Sequence, residues 1–170
     1  MRNPAAVAVV LACLVSPAAS AAGLDPAQGE AARAIVVRSH DGGILASVPL
    51  HGEHFAVSYR NSIYGTPAEE RYEVLPDGRY RLVQIAADQL AVLEEYYAVP
   101  GAPRRAEEPD RREWVVPPDP AHPLVLERLS IAATDLGERT VHVPGAPPLE
   151  LWRLVEDGQP FVVLGIEENP

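Results

Sequence analysis

The chain has 170 residues and a formal net charge of −10, because 24 Asp and Glu residues outnumber 14 basic residues, all of them arginine. This acidic balance excludes a general nucleic-acid-binding surface, which needs clustered positive charge to displace counterions from phosphates. A single cysteine can neither close an intramolecular disulfide nor build a structural zinc site. The content of 47% hydrophobic and 22% charged residues is typical of a globular domain.

An export signal is predicted over residues 1–22. Arg2 supplies its positive end, residues 5–15 form an apolar run too short to span a bilayer, and Ala-Ser-Ala at 19–21 suits a signal peptidase. A lipoprotein signal with Cys13 as the acylated residue is the alternative, although the residues around it fit that pattern poorly. Both interpretations place the protein outside the cytoplasm, in the periplasm or secreted.

The mature chain reads as a flexible leader, residues 23–33, and a single β-rich domain, residues 34–170. Short runs of β-branched and aromatic residues with period-two alternation recur between turn sequences. The predicted strands are 34–40, 44–50, 55–60, 70–74, 80–85, 112–116, 124–131, 139–143, 149–155 and 161–166. This pattern predicts an all-β fold, an antiparallel sandwich or small barrel of about 8–10 short strands.

Turn sequences rich in Gly and Pro separate these strands. The sequences at 41–43 and 76–78 predict hairpins, and Asp157-Gly158 is expected to turn the last pair of strands. The pentapeptide Val-Pro-Gly-Ala-Pro occurs at 99–103 and again at 143–147. Because Pro-Gly favours a type II turn, we expect turn chemistry at both places rather than a structural repeat.

Residues 86–97 carry signals for two structures. Leu90, Leu93 and Tyr97 have helical spacing, whereas the Tyr96-Tyr97 pair and the neighbouring hairpins favour a strand. The residues themselves leave this choice open.

Residues 100–123 contain seven prolines and are predicted to form a loop. The arginine pairs at 104–105 and 111–112 are balanced by neighbouring acids, so we expect both pairs to be solvated.

Catalytic motifs are few. The sequence has no Gly-x-Ser-x-Gly, phosphate-binding glycine loop or His-Glu-x-x-His motif. His51 and His54, with His40, could reach a metal from loops, although loop histidines are more often solvated. Ser62 could act as a nucleophile with a distant His and Asp, but no spacing requires it.

Two pairs of adjacent carboxylates occur, Glu69-Glu70 and Glu94-Glu95. A glycosidase-like dyad needs both carboxyl groups to face one substrate. Since neighbouring residues of a strand point to opposite faces, we expect the two acids of each pair to diverge.

The stretch 59–72 offers the most polar groups near one turn. A strand ends at Asn61-Ser62, Gly65 to Pro67 turn the chain, and Glu70 lies on the returning strand. Two interpretations stay open. In the first, Asn61, Ser62 and Thr66 bond local backbone and Glu70 pairs with Arg60 or Arg71. In the second, these polar groups converge as a binding rim. The candidate binding residues are Tyr59, Asn61, Ser62, Thr66 and Glu70.

This stretch resembles the bacterial and archaeal family known as domain of unknown function 1850. Its members carry a Phe-x-x-x-Tyr strand, a His-Ser-Val-like step and Thr-Pro-x-x-Glu. The matching residues here are Phe55, Tyr59, Asn61-Ser62-Ile63, Thr66-Pro67 and Glu70. The similarity continues over 124–166, although only 61–70 is specific. Asn61 stands where many members have His, and the family's Gly-Ala-Gly step is missing. The resemblance implies a strand at 93–97.

Genes of this family often lie beside tripartite ATP-independent periplasmic transporters of the TAXI type. The resemblance therefore implies an extracytoplasmic accessory protein, whose partner is the transporter's solute receptor or permease. We expect a non-enzymatic binding module with no cofactor, no metal, no nucleic acid and no transmembrane helix in the mature chain. The alternative is a small exported hydrolase or metal-dependent enzyme that uses Ser62, Glu70 and the His51/His54 pair.

Overall fold

A computed structural model describes residues 33–156 and 158–168, and strand is the dominant structure in them. The predicted export signal and the leader as far as residue 32 lie outside the described residues. The twelve strands of the described part are β1 (Arg33–Ser39), β2 (Ile44–Pro49), β3 (His54–Arg60), β4 (Pro67–Val74), β5 (Tyr80–Ala87), β6 (Arg104–Arg105), β7 (Trp114–Val116), β8 (Val125–Leu126), β9 (Arg128–Ala132), β10 (Thr140–His142), β11 (Leu149–Glu150) and β12 (Phe161–Glu168).

Two antiparallel sheets contain these strands. The smaller sheet has the order β2-β1-β12-β9. The larger sheet has the order β11-β10-β3-β4-β5-β7-β6, and β8 pairs with β5 beside that path. Within the described residues the sheets do not close into a barrel, so the all-β prediction is confirmed in its sandwich form. The strands are shorter and more numerous than the about 8–10 expected from turn spacing.

The hydrophobic core lies between the two sheets. Phe55, Tyr72 and Tyr80 of the larger sheet form an aromatic cluster with ring centroids 5.1 to 5.5 Å apart. Ile35 and Leu164 of the smaller sheet belong to the same buried cluster, and the Tyr80 hydroxyl donates a 3.1 Å hydrogen bond to the Leu164 carbonyl. Burying each such side chain stabilises the fold by about 1.5–3 kcal/mol, so this layer holds the sheets face to face.

Period-two alternation gives the larger sheet a second, outward face. Phe55, Val57 and Tyr59 of β3 belong to the core cluster, so Ala56 and Ser58 point the other way. Ala56 and Ser58 are nevertheless buried, because another part of the chain covers them. The candidate site lies on this covered outer face.

Residues 92–97 are helical, so the strand implied there is wrong. β5 ends at Ala87, and a π-helical turn spans Val92–Tyr97. The turn buries Val92 and Leu93 against the core, which the helical spacing of the apolar residues allows and an alternating strand would not. No helix in the described part of the chain is long and apolar enough to cross a membrane.

The predicted strand 124–131 is interrupted at Glu127. The part before it, β8, pairs with β5 of the larger sheet, and the part after it, β9, pairs with β12 of the smaller sheet. The segment therefore crosses from one layer to the other. At the start of the domain, Arg33 belongs to β1 rather than to the leader.

The predicted strand 149–155 is also shorter than expected. β11 ends at Glu150, and a 3-10 turn, Leu151–Arg153, follows because the chain bends inward to bury Leu151 completely. β11 pairs with β10, whereas β12 pairs with β1 and β9 of the other sheet. The hairpin expected between these last two strands is therefore wrong; Asp157 itself lies outside the described residues.

Candidate functional site

Asn61 is an internal cap of the turn between β3 and β4. Its side chain is buried, and Oδ1 accepts hydrogen bonds from the backbone amides of Ile63 at 3.0 Å and Tyr64 at 3.1 Å. Its backbone amide donates to the Thr66 carbonyl at 2.9 Å, and its carbonyl accepts from Gly65 at 2.8 Å. Every polar group of Asn61 except the amide nitrogen of its side chain is therefore engaged in the turn.

The other turn residues do not share this local bonding. The Ser62 side chain is exposed, and Thr66 Oγ1 is buried with no hydrogen-bond partner among the described residues. Of the local contacts expected for a capped turn, the structure has only that of Asn61. Among the described residues, the side chains of Asn61, Ser62, Thr66 and Glu70 form no hydrogen bonds with one another.

Removal of the Asn61 side chain is a direct test of its capping role. Asn61→Ala should lower the free energy of unfolding by about 1–2 kcal/mol, because two backbone amides in a tight turn lose their acceptor. Asn61→Asp retains the acceptor and should lose much less. Urea unfolding of both variants measures this difference. An Asn61→Ala variant as stable as the wild type would show that the cap is energetically unimportant and would return Asn61 to the binding hypothesis.

Glu70 lies on the core side of β4 and is held by tyrosines. The hydroxyl groups of Tyr72 and Tyr97 each donate a 2.7 Å hydrogen bond to its carboxylate, one to each oxygen. Tyr59 donates to the Tyr97 hydroxyl at 2.8 Å. The structure therefore joins two of the predicted site residues, Tyr59 and Glu70, through a residue that sequence reasoning did not select.

The expected pairing of Glu70 with Arg60 or Arg71 is wrong. Arg60 bonds to Glu138, and Arg71 bonds to Glu69 and Asp110. Arg71 follows Glu70 on the strand and so faces the opposite side of the sheet.

The tyrosines of this network stay protonated. Burial raises the pKa of Tyr59 to about 12. Burial, together with the negative charge of Glu70, also raises the pKa values of Tyr72 and Tyr97. The Arg139 guanidinium lies 4.3 Å from the centroid of the Tyr59 ring, which adds a cation–π contact. Such hydroxyls are hydrogen-bond donors, and the network fastens the helical turn to the sheet.

Glu69 points to the outer face, so the expected divergence of the Glu69-Glu70 pair is confirmed. The carboxylate of Glu69 is completely buried. Arg71 donates to it at 2.7 Å, Arg111 donates two bonds at 2.9 and 3.1 Å, and Arg112 lies 3.9 Å away. Burial raises the pKa of Glu69, but the hydrogen bonds and charges of Arg111 and Arg71 outweigh this effect and hold the pKa below its ordinary value.

Two of the three arginines near Glu69, Arg111 and Arg112, come from the loop between β6 and β7, residues 106–113, here called the strap. Asp110 of the strap accepts hydrogen bonds of 2.5 and 2.8 Å from Arg71 of β4. Arg111 and Arg112 then lie over Glu69. The expectation that this arginine pair is solvated is therefore wrong for Arg112, whose side chain is only 14% exposed because it neutralises a buried carboxylate together with its neighbours. The Arg111 side chain is 53% exposed.

A cavity of about 740 Å³ opens beside the strap on the outer face. Its floor is a row of residues paired across four strands, His142 of β10, Ala56 of β3, Arg71 of β4 and Gln84 of β5. Its walls are formed by Arg111 and by the apolar residues Val83, Val143, Pro144, Ala146 and Pro148. Cavities of this size, with apolar walls and a few convergent polar groups, are typical of small-molecule sites.

The second copy of the repeated pentapeptide builds one wall of this cavity. Ala146 donates a 3.1 Å hydrogen bond to the Val143 carbonyl, and Gly145 has a φ of 80°. These features are those of a type II turn, in which the third position requires a positive φ. The first copy differs, because Gly101 is not among the glycines with positive φ. The type II prediction is thus confirmed at 143–146 and wrong at 99–103.

A smaller cavity of about 450 Å³ lies on the other side of the strap. Arg112, Ser58, Thr140 and Trp152 line it together with the carboxylates of Glu138 and Glu150. Arg111 lines one cavity and its neighbour lines the other, so the strap separates them.

Ser58 and His142 form a hydrogen bond between Oγ and Nε2 of 2.8 Å on this face. Burial lowers the pKa of His142, and the positive charges of Arg111 and Arg112 lower it further. A nucleophile needs its base to be oriented by a third group, and no carboxylate bonds to His142 in the described residues. The pair is therefore an incomplete catalytic arrangement.

The histidines proposed as metal ligands are on the surface. His40, His51 and His54 are all exposed. Among residues 33–156 and 158–168, no group of three or more His, Cys, Asp or Glu side chains could hold a metal ion. The hydrolase hypothesis based on Ser62, Glu70 and the His51/His54 pair stays untested.

Comparison of the chain with protein-family models, with curated proteins and with solved structures finds no significant match. The site must therefore be interpreted from its own residues.

Proposed function

We propose that the protein is an exported, non-enzymatic binding module that holds a small molecule in the cavity on the outer face of the larger sheet. The observation that carries this proposal is the cavity itself, which is already formed and has apolar walls around a few polar groups, Arg111, Gln84 and His142. Export rests on the sequence pattern at residues 1–22.

The ordered surroundings of the cavity support a binding role. The pairs Arg71–Asp110 and Arg111–Glu69 join the strap to the sheet through four hydrogen bonds of 2.5 to 3.1 Å. A site held by a sheet and an anchored loop loses little conformational freedom on binding, which favours affinity.

Association with a TAXI-type tripartite transporter is a further part of the proposal, and it rests on the resemblance of 55–70 to the domain of unknown function 1850 family. A binding module would hand its ligand to, or sense it for, the solute receptor or permease. Co-purification of the tagged protein with the receptor or permease encoded beside it is expected, and absence of both from cross-linked envelope preparations would contradict this part.

The binding function is tested by filling the cavity. Val83 is half-buried and lines the cavity at the bulge of β5, so Val83→Trp should occupy the space without reaching the core cluster. Native mass spectrometry of protein isolated from the cell envelope should show a bound small molecule on the wild type and lose it in this variant. Val163→Trp is the control, since Val163 is half-buried in the smaller sheet. Equal occupancy of both variants would contradict the site, and an empty wild type would contradict the function.

A further inference from the structure

No carboxylate lines the large cavity, and its charged side chains are two arginines. Its fourteen lining residues include Arg71, Arg111, His54 and His142, and none is Asp or Glu. This lining contrasts with the whole chain, whose net charge is −10. A cavity without carboxylates in so acidic a protein favours an anionic group in its occupant.

Arg111 has more donors to spare than Arg71, whose four hydrogen bonds leave a single N–H of Nη2 unused. Arg71 Nε bonds to Glu69, Nη1 to Gln84 and Asp110, and Nη2 to Asp110. Arg111 uses Nε and Nη2 on Glu69, and its Nη1 makes no hydrogen bond within the described residues. The Arg111 side chain is also 53% exposed, so a ligand can reach it.

Gln84 supplies a second donor on the floor of the cavity. Its Oε1 accepts a 2.7 Å hydrogen bond from Arg71, and because a guanidinium cannot accept, this bond fixes the oxygen of the amide. The amide nitrogen, with two N–H groups, has no hydrogen-bond partner in the part of the chain that the structure describes. Arg111 and Gln84 thus both present N–H groups at one cavity.

We propose that this cavity binds an organic monocarboxylate with an apolar tail, with Arg111 and Gln84 donating to the carboxylate and the tail lying against Val83, Val143 and Pro148. The inference rests on the proposed function, that this cavity is the ligand site. A singly charged head group fits because Arg111 already shares its charge with Glu69, so a doubly charged phosphate would lack a matching cation. The five apolar wall residues provide the surface for the tail.

Three probes of equal length test the head group. Isothermal titration calorimetry of octanoate, octanamide and octylamine compares a negative, a neutral and a positive head on the same apolar chain. Octanoate should bind about 10-fold more tightly than octanamide, as a charge-assisted hydrogen bond provides, and octylamine most weakly. Equal affinity of octanoate and octanamide would overturn the inference while leaving the binding function intact. Failure of all three probes to bind would overturn both.

Two matched substitutions test whether the carboxylate binds in this cavity. Val83→Glu and Val83→Gln have the same shape and differ by one negative charge inside the cavity. The affinity for octanoate should be about 10-fold lower in Val83→Glu than in Val83→Gln, because like charges repel in a half-buried site. The affinity for octanamide should be the same in both variants. Octanoate binding equally well to both variants would place the carboxylate elsewhere and overturn the inference.

Arg111→Gln then tests the named donor against Arg81→Gln. Arg81 is an exposed, ion-paired arginine that does not line the cavity. Octanoate affinity should fall about 10-fold in the first variant and stay unchanged in the second. Because Arg111 also bonds to Glu69, the melting temperature of each variant is measured, and titrations are run well below it. Unchanged octanoate affinity in a folded Arg111→Gln protein would overturn the role of Arg111.

Discussion

Glu69→Ala is expected to lower the free energy of unfolding by about 3 kcal/mol, because it leaves buried arginine charge without its carboxylate. Glu69 is completely buried and accepts three hydrogen bonds of 2.7 to 3.1 Å from Arg71 and Arg111. Without it, Arg111 loses both of its hydrogen bonds to the sheet, Arg112 keeps the carboxylate of Asp88 at 3.5 Å, and the strap loses its central attachment. Urea unfolding followed by circular dichroism measures the loss.

Another glutamate of β4, Glu73, provides the control. Glu73 lies on the same face of β4 and pairs with Arg81 at the surface. Glu73→Ala should leave the free energy of unfolding almost unchanged, since exposed ion pairs contribute little to stability. If both substitutions lower the free energy of unfolding by the same amount, the attachment of the strap by Glu69 does not stabilise the fold more than a surface ion pair does.

Acid should reproduce the effect of removing Glu69. The folded-state pKa of Glu69 lies below its ordinary value of 4.5, so its ionisation stabilises the folded state. This stabilisation is complete above pH 4.5 and is lost as the pH falls through the folded-state pKa. The difference in stability between wild type and Glu69→Gln should therefore shrink as the pH is lowered below 4.5. A difference that is constant with pH would show that Glu69 acts through shape rather than charge.

The sequence predicts this face only in part. Period-two alternation places Ser58, Glu69 and Arg71 opposite the core, and adjacent acids on opposite faces follow from the same rule. Arg111 is 42 residues from Glu69 along the chain and comes from a proline-rich loop. No local pattern predicts where such a loop lies, so the strap was expected in solvent and the cavity beside it was missed. The small size of Ala56 and Ser58 is a hint in the sequence, because small residues allow another segment to approach a sheet closely.

The helical turn at 92–97 is a second element that the local sequence pattern does not determine. Its apolar spacing was visible in the sequence, but six residues are too few for periodicity to decide between helix and strand. Tertiary contacts decide it, since the helical turn buries Val92 and Leu93 and brings the Tyr97 hydroxyl to the carboxylate of Glu70. Sequence reasoning selects Tyr59 and Glu70 as candidate binding residues but not Tyr97, the residue that connects them.

Glu70→Ala is expected to lower the free energy of unfolding by about 2–3 kcal/mol, more than the loss of one surface contact. The substitution leaves the hydroxyls of Tyr72 and Tyr97 without their acceptor, and an unsatisfied buried donor costs about 1–3 kcal/mol. Tyr97→Phe, which keeps the ring and removes the hydroxyl in the middle of the network, should cost less, because Glu70 retains its bond from Tyr72.

Glu95→Ala is the matched control for Glu70→Ala. Glu95 also accepts a tyrosine hydrogen bond, from Tyr64 at 2.6 Å, but that pair is at the surface. Removal of the Glu95 carboxylate should not measurably change the free energy of unfolding, because water replaces it as the partner of the Tyr64 hydroxyl. The same variants separate structure from binding: if Glu70 serves the fold, octanoate affinity at the cavity on the outer face of the sheet should be unchanged while the protein is folded. A Glu70→Ala protein with wild-type stability would instead support the binding hypothesis for Tyr59, Asn61 and Glu70, since an internal network that can be removed without cost is not maintained for stability.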